Sequence, residues 1–220
     1  MGAQGFFETQ VMDGVYPGPK IEHGEQSYLN LMTDILENGY SHPDRTGTGR
    51  RSVIGSTLRF SMKDGFPLIT TRRIFTKAMI HELLWFISGS MQSKELSDLG
   101  VHIWDKWAIS DKDRDAFDSE EEYLECEGSI GRIYGPSWRN APGGIDQLAN
   151  LITSLKVNPF SSRHVISAWI PQWIPNEELS FVDNIKLGKG ALAPCHVLQQ
   201  YFVKENEEGQ KLLSLLMYQR

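Results

Sequence analysis

The sequence predicts a single domain that combines helices and strands, which is the α/β or α+β class. Apolar residues repeat at helical spacing in several segments of the first two thirds of the chain. Near the end, residues 196–204 and 212–220 are strand-like runs joined by a polar turn. The chain has 220 residues, of which 40% are hydrophobic and 23% charged. This length is enough for one domain with a substantial core and hardly enough for two.

The composition argues against several classes of protein. A net charge of -6 argues against a general nucleic-acid binder, which would carry a basic surface. The two cysteines, Cys126 and Cys195, are too few for a disulfide framework or a finger-type zinc site. No apolar run reaches the length of a membrane span, and the N-terminus lacks a signal-peptide pattern. We therefore expect a soluble cytoplasmic protein.

The first half of the chain predicts an extension, a helix, a strand and a second helix. Residues 1–25 are rich in Gly and Pro, which indicates a loosely ordered extension. The next segment has helical spacing, with Ser27 as the N-cap and Gly39 as the stop. Its apolar positions are Tyr28, Leu31, Met32, Ile35 and Leu36. Residues 52–62 have a strand pattern, and residues 76–88 are apolar almost all round, which predicts a buried helix.

The second half predicts short helices, loops and strands. Residues 93–99 form a short helix, and the acidic residues 111–128 form a solvated insertion or a surface helix. The remaining predicted elements are an amphipathic helix over 145–155, a strand over 165–170, a long loop over 171–190 and the final hairpin. The last strand-like run ends without a turn or polar tail. We therefore expect a longer natural chain, or a further segment that completes the fold.

Eight short motifs follow one another along the chain. They are DRTGTG (residues 44–49), GFPLITT (65–71), HELLWF (81–86), IWDKW (103–107), YGPSWR (134–139), SAW (167–169), APCH (193–196) and YQR (218–220). Each motif alone is a weak or moderate signal, but eight in one order are hard to explain by chance. Over residues 26–220, which we take as one domain, the chain resembles the thymidylate synthase family.

The resemblance implies both a fold and a reaction. The fold is α+β, with a large, mostly antiparallel or mixed sheet flanked by helices and one face used for dimer contact. The reaction converts dUMP to dTMP, with 5,10-methylenetetrahydrofolate as the donor of the one-carbon unit and the hydride, and with no metal. The implied assembly is a homodimer in which Arg163 reaches the neighbouring active site.

The resemblance assigns the nucleophile to Cys195 and a proton-transfer role to Glu82. A thiolate is soft and strongly nucleophilic, which suits addition to C6 of a uracil ring. Taken alone, Cys195 would more often be a buried, inert thiol. Glu82 stands in an otherwise apolar helix, where burial raises the pKa of a carboxyl and favours proton shuttling. The alternative is a structural carboxylate that hydrogen-bonds to Trp104 or to a buried water.

Three arginines match positions that hold phosphate in the family. Arg45 lies in a loop rich in Gly and Thr, where its planar guanidinium suits phosphate binding. Arg220 matches the arginine near both the thiolate and the phosphate, so it is expected to lower the pKa of Cys195 as well. Arg163 matches the arginine supplied by the partner subunit. Taken alone, each arginine would more often be a solvated surface charge.

The remaining candidate residues bind the two substrates. Tyr134 would join the proton-transfer network at C5 or pack under the nucleotide. Trp104 and Trp107 would form the apolar wall for the pterin ring of the reduced folate, or simply pack in the core. His196 would orient a water near uracil O4, or be a hydrogen-bonded structural histidine. Weaker candidates for nucleotide contacts are Gln219 and Ser167.

Four departures from the family pattern keep alternatives open. A serine, Ser162, replaces the first of two adjacent arginines, and Arg72 replaces a common lysine. The segment over 170–190 is longer than usual, and the last third of the pattern, which carries the pyrimidine-reading asparagine, does not follow Arg220. One alternative is therefore a hydroxymethylase for dUMP or dCMP that uses the same folate. The other is a non-catalytic relative that binds a nucleotide or RNA, which the joint presence of Cys195, Glu82 and Tyr134 argues against.

Overall fold

The computed structural model describes residues 24–43 and 47–220, and these fall into two compact units. The first unit extends to Ile74 and the second runs from Phe75 to Arg220. Both helices and strands are present, which confirms the α+β class. The predicted extension over residues 1–25 lies almost entirely outside the described residues.

In its described residues the first unit contains one helix and one pair of short strands. Helix α1 (Gly24–Asn38) ends as predicted, because the N–H of Gly39 donates to the carbonyl of Ile35 at 3.1 Å. It begins at Gly24, so the prediction of Ser27 as its N-cap was wrong. Strands β1 (Tyr40–His42) and β2 (Arg50–Ser52) pair antiparallel.

The strand predicted over residues 52–62 was wrong. Strand β2 ends at Ser52, opposite Tyr40, where its partner β1 begins. Beyond that position the described residues offer no strand to pair with, and a strand requires a hydrogen-bonded neighbour. Apart from a 3₁₀ turn at Met62–Asp64, this segment has no regular structure.

Glu25 connects the start of α1 to residues 70 and 71. Its carboxylate accepts hydrogen bonds from the N–H of Thr70 at 2.6 Å, from Thr70 Oγ1 at 2.6 Å and from the N–H of Thr71 at 2.7 Å. The side-chain hydrogen bond from Thr70 and the backbone hydrogen bond from Thr71 lower the pKa of Glu25 to about 2. These three hydrogen bonds, which we call the Glu25 clamp, therefore depend on an ionised carboxylate.

The second unit contains six helices and one sheet. The helices are α2 (Thr76–Ser88), α3 (Lys94–Ser97), α4 (Glu120–Cys126), α5 (Tyr134–Arg139), α6 (Gln147–Val157) and α7 (Phe181–Lys186). The strands are β3 (Val165–Ser167), β4 (His196–Glu205) and β5 (Lys211–Gln219). Short 3₁₀ segments occur at Asp105–Trp107, Asp111–Ala116 and Pro171–Trp173.

The sheet of the second unit is antiparallel, in the order β3-β4-β5. Strands β4 and β5 form the predicted C-terminal hairpin, with an irregularity in the register between His196 and Leu198. The described residues contain this three-stranded sheet and the two-stranded hairpin of the first unit. Over this part of the chain the sheets are thus antiparallel and smaller than the large sheet that we expected.

Helix α2 is buried on one side only, which corrects the prediction of a fully buried helix. Trp85 and Phe86 are in the core, where α2 packs against α5. The opposite side is apolar but exposed: Ile80, Leu83 and Leu84 are each at least half exposed. Composition shows which side chains can be buried, but a packing partner decides which of them are.

Two segments, the acidic stretch and the predicted long loop, supply more buried side chains than expected. The acidic stretch forms a 3₁₀ turn and helix α4, and its Tyr123 is fully buried. The segment predicted as a long loop over 171–190 contains α7, whose Val182 and Ile185 join the core. Both segments supply apolar side chains at isolated positions, which is why their periodicity was too weak to predict burial.

Candidate active site

The hydroxyl of Tyr134 holds the backbone at Cys195. The N–H of Cys195 donates to Tyr134 Oη at 2.7 Å, and the N–H of His196 donates to the same oxygen at 3.3 Å. On the other side, the N–H of Arg220 donates to the carbonyl of Cys195 at 2.9 Å. Cys195 itself is exposed. The residue that carries the thiol is therefore fixed through its backbone and accessible to a substrate.

Tyr134 is the first residue of α5 and lies inside an aromatic cluster. Its ring centroid is 4.4 Å from that of Phe86, 6.1 Å from Trp138 and 6.4 Å from Trp104. The ring of His196 lies 5.4 Å away on the Cys195 side. Burial is the main cause that raises the pKa of Tyr134, and the two backbone N–H donors oppose it. The phenol is consequently a neutral group at physiological pH.

Glu82 accepts a hydrogen bond from Trp104 Nε1 at 2.8 Å. Burial raises the pKa of Glu82, whereas this hydrogen bond and the charge of His196 act in the opposite direction. The sequence left open that Glu82 is a structural carboxylate hydrogen-bonded to Trp104, and this contact is present in the structure. The same contact orients a carboxyl that is easier to protonate than an exposed one, so it is also compatible with proton transfer.

The approach of α5 to the end of α2 places Tyr134 near Glu82. At Gly89 the chain adopts a φ of 85°, a left-handed conformation that favours glycine and ends α2. At Gly135 a Cβ would lie 2.5 Å from the carbonyl oxygen of Ser90, so a larger residue would push the two elements apart. Arg139 joins them further along, because its Nη1 donates to the carbonyl of Ile87 at 2.7 Å.

Arg220 lies beside the Cys195 segment. Its Nη2 donates to the carbonyl of Ala193 at 3.3 Å, and the guanidinium carbon is 5.9 Å from the ring centroid of Trp169. The side chain is exposed and keeps further N–H donors available. Its predicted actions on phosphate and thiolate remain predictions.

The two weaker candidates occupy different environments. Ser167 lies in β3, and its hydroxyl accepts a hydrogen bond from the N–H of Trp169 at 3.2 Å. Its backbone is held by Gln147, which accepts from the N–H of Ser167 at 3.1 Å and donates to its carbonyl at 2.8 Å. Gln219 stands opposite His196 in the β4–β5 pair and is exposed. Gln219 is thus the more accessible of the two for a ligand contact.

Two predicted residues, Arg163 and Trp107, are not part of this cluster, and a third cannot be placed because it is not described. Arg45 lies outside the described residues. Arg163 precedes β3, and its side chain is exposed. Trp107 ends the 3₁₀ turn at Asp105–Trp107 and is half-buried, with its ring 6.2 Å from that of Phe181. Trp107 therefore belongs to a neighbouring aromatic pair.

Neither a metal centre nor a membrane helix is found in the described part of the chain. Residues 24–43 and 47–220 contain no group of three or more His, Cys, Asp or Glu side chains that could hold a metal ion. Over the same residues, no helix combines the length and the apolar character that crossing a bilayer requires.

Sequence reasoning missed several residues that build the site. Phe86 and Trp138 pack against Tyr134 and against each other, and Gln147 fixes β3. Phe86 follows Glu82 by four positions, and Trp138 follows Tyr134 by four, so helical spacing already placed each pair on one face. For Gln147 no local signal exists, because its partners are 10 and 20 residues away in the sequence.

Comparison with known proteins gives one consistent family. A family model described as thymidylate synthase matches residues 26–220. The thymidylate synthase of Francisella tularensis subsp. holarctica is 42% identical over 196 residues, which cover 89% of this chain and 64% of the relative. That of Francisella philomiragia subsp. philomiragia is 41% identical over the same length and with the same coverage. The chain therefore spans 64% of the length of these curated relatives.

Proposed function

Because the chain belongs to the thymidylate synthase family, we propose that it methylates dUMP to dTMP with 5,10-methylenetetrahydrofolate. The observation that carries this proposal is a series of contacts from Cys195 to Glu82. The Cys195 N–H donates to Tyr134, the Tyr134 ring packs near Trp104, and Trp104 donates to Glu82. A nucleophile and a protonatable carboxyl thus stand at the two ends of one ordered cluster.

The first step is addition of the Cys195 thiolate to C6 of the uracil ring. A bond forms between Sγ and C6, and the electron pair of the C5–C6 double bond moves through C5 to the C4 carbonyl oxygen. C5 then becomes nucleophilic. The exposed position of Cys195 gives the ring access, and the hydrogen bond to Tyr134 fixes the backbone that carries the thiolate. C5 later loses its proton, and once hydride has completed the methyl group the electron pair re-forms the C5–C6 double bond as the thiolate leaves C6.

Glu82 and His196 stabilise the negative charge that develops on the C4 carbonyl oxygen of the ring. A carboxyl with a raised pKa can exchange a proton with a group near neutral pH, and Trp104 holds this carboxyl in one orientation. His196, next to the nucleophile, interacts electrostatically with Glu82. In this proposal the two side chains share the proton at O4, directly or through water.

The reduced folate supplies, when bound, the one-carbon unit and the hydride. Trp104 and Trp107 offer an apolar wall for its pterin ring, and the half-buried indole of Trp107 leaves area for such a contact. Arg45, Arg163 and Arg220 hold the phosphate of dUMP in this proposal. The exposed side chain of Arg163 is available to reach the active site of a second subunit in a cytoplasmic homodimer.

A substitution at the nucleophile tests the proposal. Cys195→Ala should abolish turnover of dUMP with 5,10-methylenetetrahydrofolate while leaving dUMP affinity within roughly tenfold, or about 1.4 kcal/mol. Cys126→Ala, at the other and less exposed cysteine, is the matched control and should retain turnover. Products are separated by chromatography, and binding is measured by calorimetry on the full-length protein.

The products distinguish the alternatives. Thymidylate with dihydrofolate supports the proposal, whereas a hydroxymethyl nucleotide with tetrahydrofolate, from dUMP or dCMP, indicates the hydroxymethylase. Nucleotide binding without turnover in the wild-type protein indicates a non-catalytic relative. If turnover survived Cys195→Ala, the covalent mechanism would be wrong.

A further inference from the structure

Trp107 is supported from one side by a helix that the family motifs do not include. The ring of Phe181, at the start of α7, meets the Trp107 indole edge to face, with centroids 6.2 Å apart and an interplanar angle of 84°. Lys106 Nζ lies 5.2 Å from the centroid of the same indole. The indole is therefore restrained by an aromatic edge and a cation, while part of it stays exposed.

Helix α7 is rigidly attached although it has only six residues. Val182 and Ile185 anchor it in the core. Asn184 is 2% exposed, and its amide closes the preceding segment: Oδ1 accepts from the N–H of Asn176 at 2.7 Å, and Nδ2 donates to the carbonyls of Asn176 and Ser180. With all its polar atoms engaged, this side chain fixes the position from which Phe181 projects.

The C-terminal end of α7 is tied to the acidic segment. Lys186 Nζ donates to the carbonyl of Ala116 at 2.6 Å and lies 4.0 Å from a carboxylate oxygen of Glu122. It is also 5.3 Å from the ring centroid of Phe117. Lys186 thus joins the C-terminal end of α7 to the acidic segment.

We propose that Phe181 is a positioning residue that holds the Trp107 indole in place for the reduced folate, with Lys186 fixing the helix that carries it. This inference rests on the proposed function, which assigns Trp107 to the folate wall. An indole already held in one orientation loses less freedom when a flat ring stacks on it, so folate binds more tightly. Neither residue lies near Cys195 in the contact series, so the nucleotide site should be unaffected.

Kinetics on the full-length protein test the proposal. Phe181→Leu, which keeps an apolar side chain but removes the aromatic edge, should raise the KM for 5,10-methylenetetrahydrofolate by roughly two- to tenfold. The KM for dUMP and kcat should stay within about twofold, which a general loss of structure would not allow. Phe181→Tyr keeps the ring and should restore the wild-type KM. Leu187→Ala, at an exposed position just after α7, is the control.

A double-mutant cycle gives a second readout that does not depend on turnover. The unfolding free energies of Phe181→Leu, Trp107→Leu and the double variant should show a favourable coupling between the two rings. Absence of coupling overturns the positioning role. If the wild-type protein turns over normally and Phe181→Leu has an unchanged KM for the folate, the positioning role is also wrong. The proposed function then stands. A wild-type protein that shows the coupling but neither binds folate nor turns over contradicts the proposed function, and with it the role of Trp107.

Discussion

Replacing Tyr134 with Phe should loosen the Cys195 segment while leaving the aromatic cluster packed. The substitution removes one oxygen atom, and that oxygen accepts the N–H groups of Cys195 at 2.7 Å and His196 at 3.3 Å. The ring that packs on Phe86 is retained. The change therefore separates the hydrogen bonds from the packing.

The magnitude follows from the two donors. A typical intramolecular hydrogen bond contributes about 0.5–1.5 kcal/mol net, so two would contribute about 1–3 kcal/mol. The bond from His196 is longer than the usual range and counts for little. Water can also reach the exposed Cys195 and replace part of the lost acceptor. We therefore expect a loss of about 1–2 kcal/mol in the free energy of unfolding.

Urea unfolding and amide hydrogen exchange measure this effect. Exchange at the Cys195 and His196 amides should be about 5- to 30-fold faster in Tyr134→Phe, which corresponds to about 1–2 kcal/mol. Tyr201→Phe is the matched control, because the Tyr201 hydroxyl donates to the side chain of Gln199 rather than to the Cys195 segment. Unchanged exchange at both amides in Tyr134→Phe, or equal acceleration in Tyr201→Phe, would refute the reasoning.

Two further predictions concern pH. Burial raises the pKa of Glu82 above its unfolded value of about 4.3, so the stability that its protonated form contributes is lost as pH rises through the raised pKa. Glu82→Gln should therefore gain stability over wild type, in urea, as pH increases from about 4 to about 8. A gain that does not depend on pH would contradict this. The pKa of Glu25 is lowered to about 2, so its contribution is present above about pH 4.3 and is lost as pH falls towards 2. Protection of the Thr70 amide from hydrogen exchange measures this acid dependence. Glu25→Gln should abolish the acid dependence, whereas Glu37→Gln on the same helix should keep it. If the acid dependence remained in Glu25→Gln, the Glu25 carboxylate would not hold Thr70.

Local signals determined the elements that need few distant partners. Helix α6 was predicted from its spacing, with bounds that differ by two residues at each end. It begins after Asp146, which accepts from the N–H of Ala149, and ends before Asn158. The β4–β5 hairpin was predicted because two apolar runs flank a short polar turn. The eight motifs likewise identified the family. They are defined by residue types and their order along the chain, and both can be seen without the structure.

Tertiary structure decided which apolar residues are buried and which functional residues meet. The sequence could not show that α2 is covered on one side, that the strand pattern over residues 52–62 finds no partner, or that α7 forms within an expected loop. Nor could it show that Phe181 contacts Trp107, since 74 positions separate them. Periodicity states which side chains can be buried together, whereas burial and strand pairing require a surface from elsewhere in the chain. The sequence by itself therefore determined the family and the chemistry available, and the packing determined how Cys195, Tyr134, Trp104 and Glu82 come together.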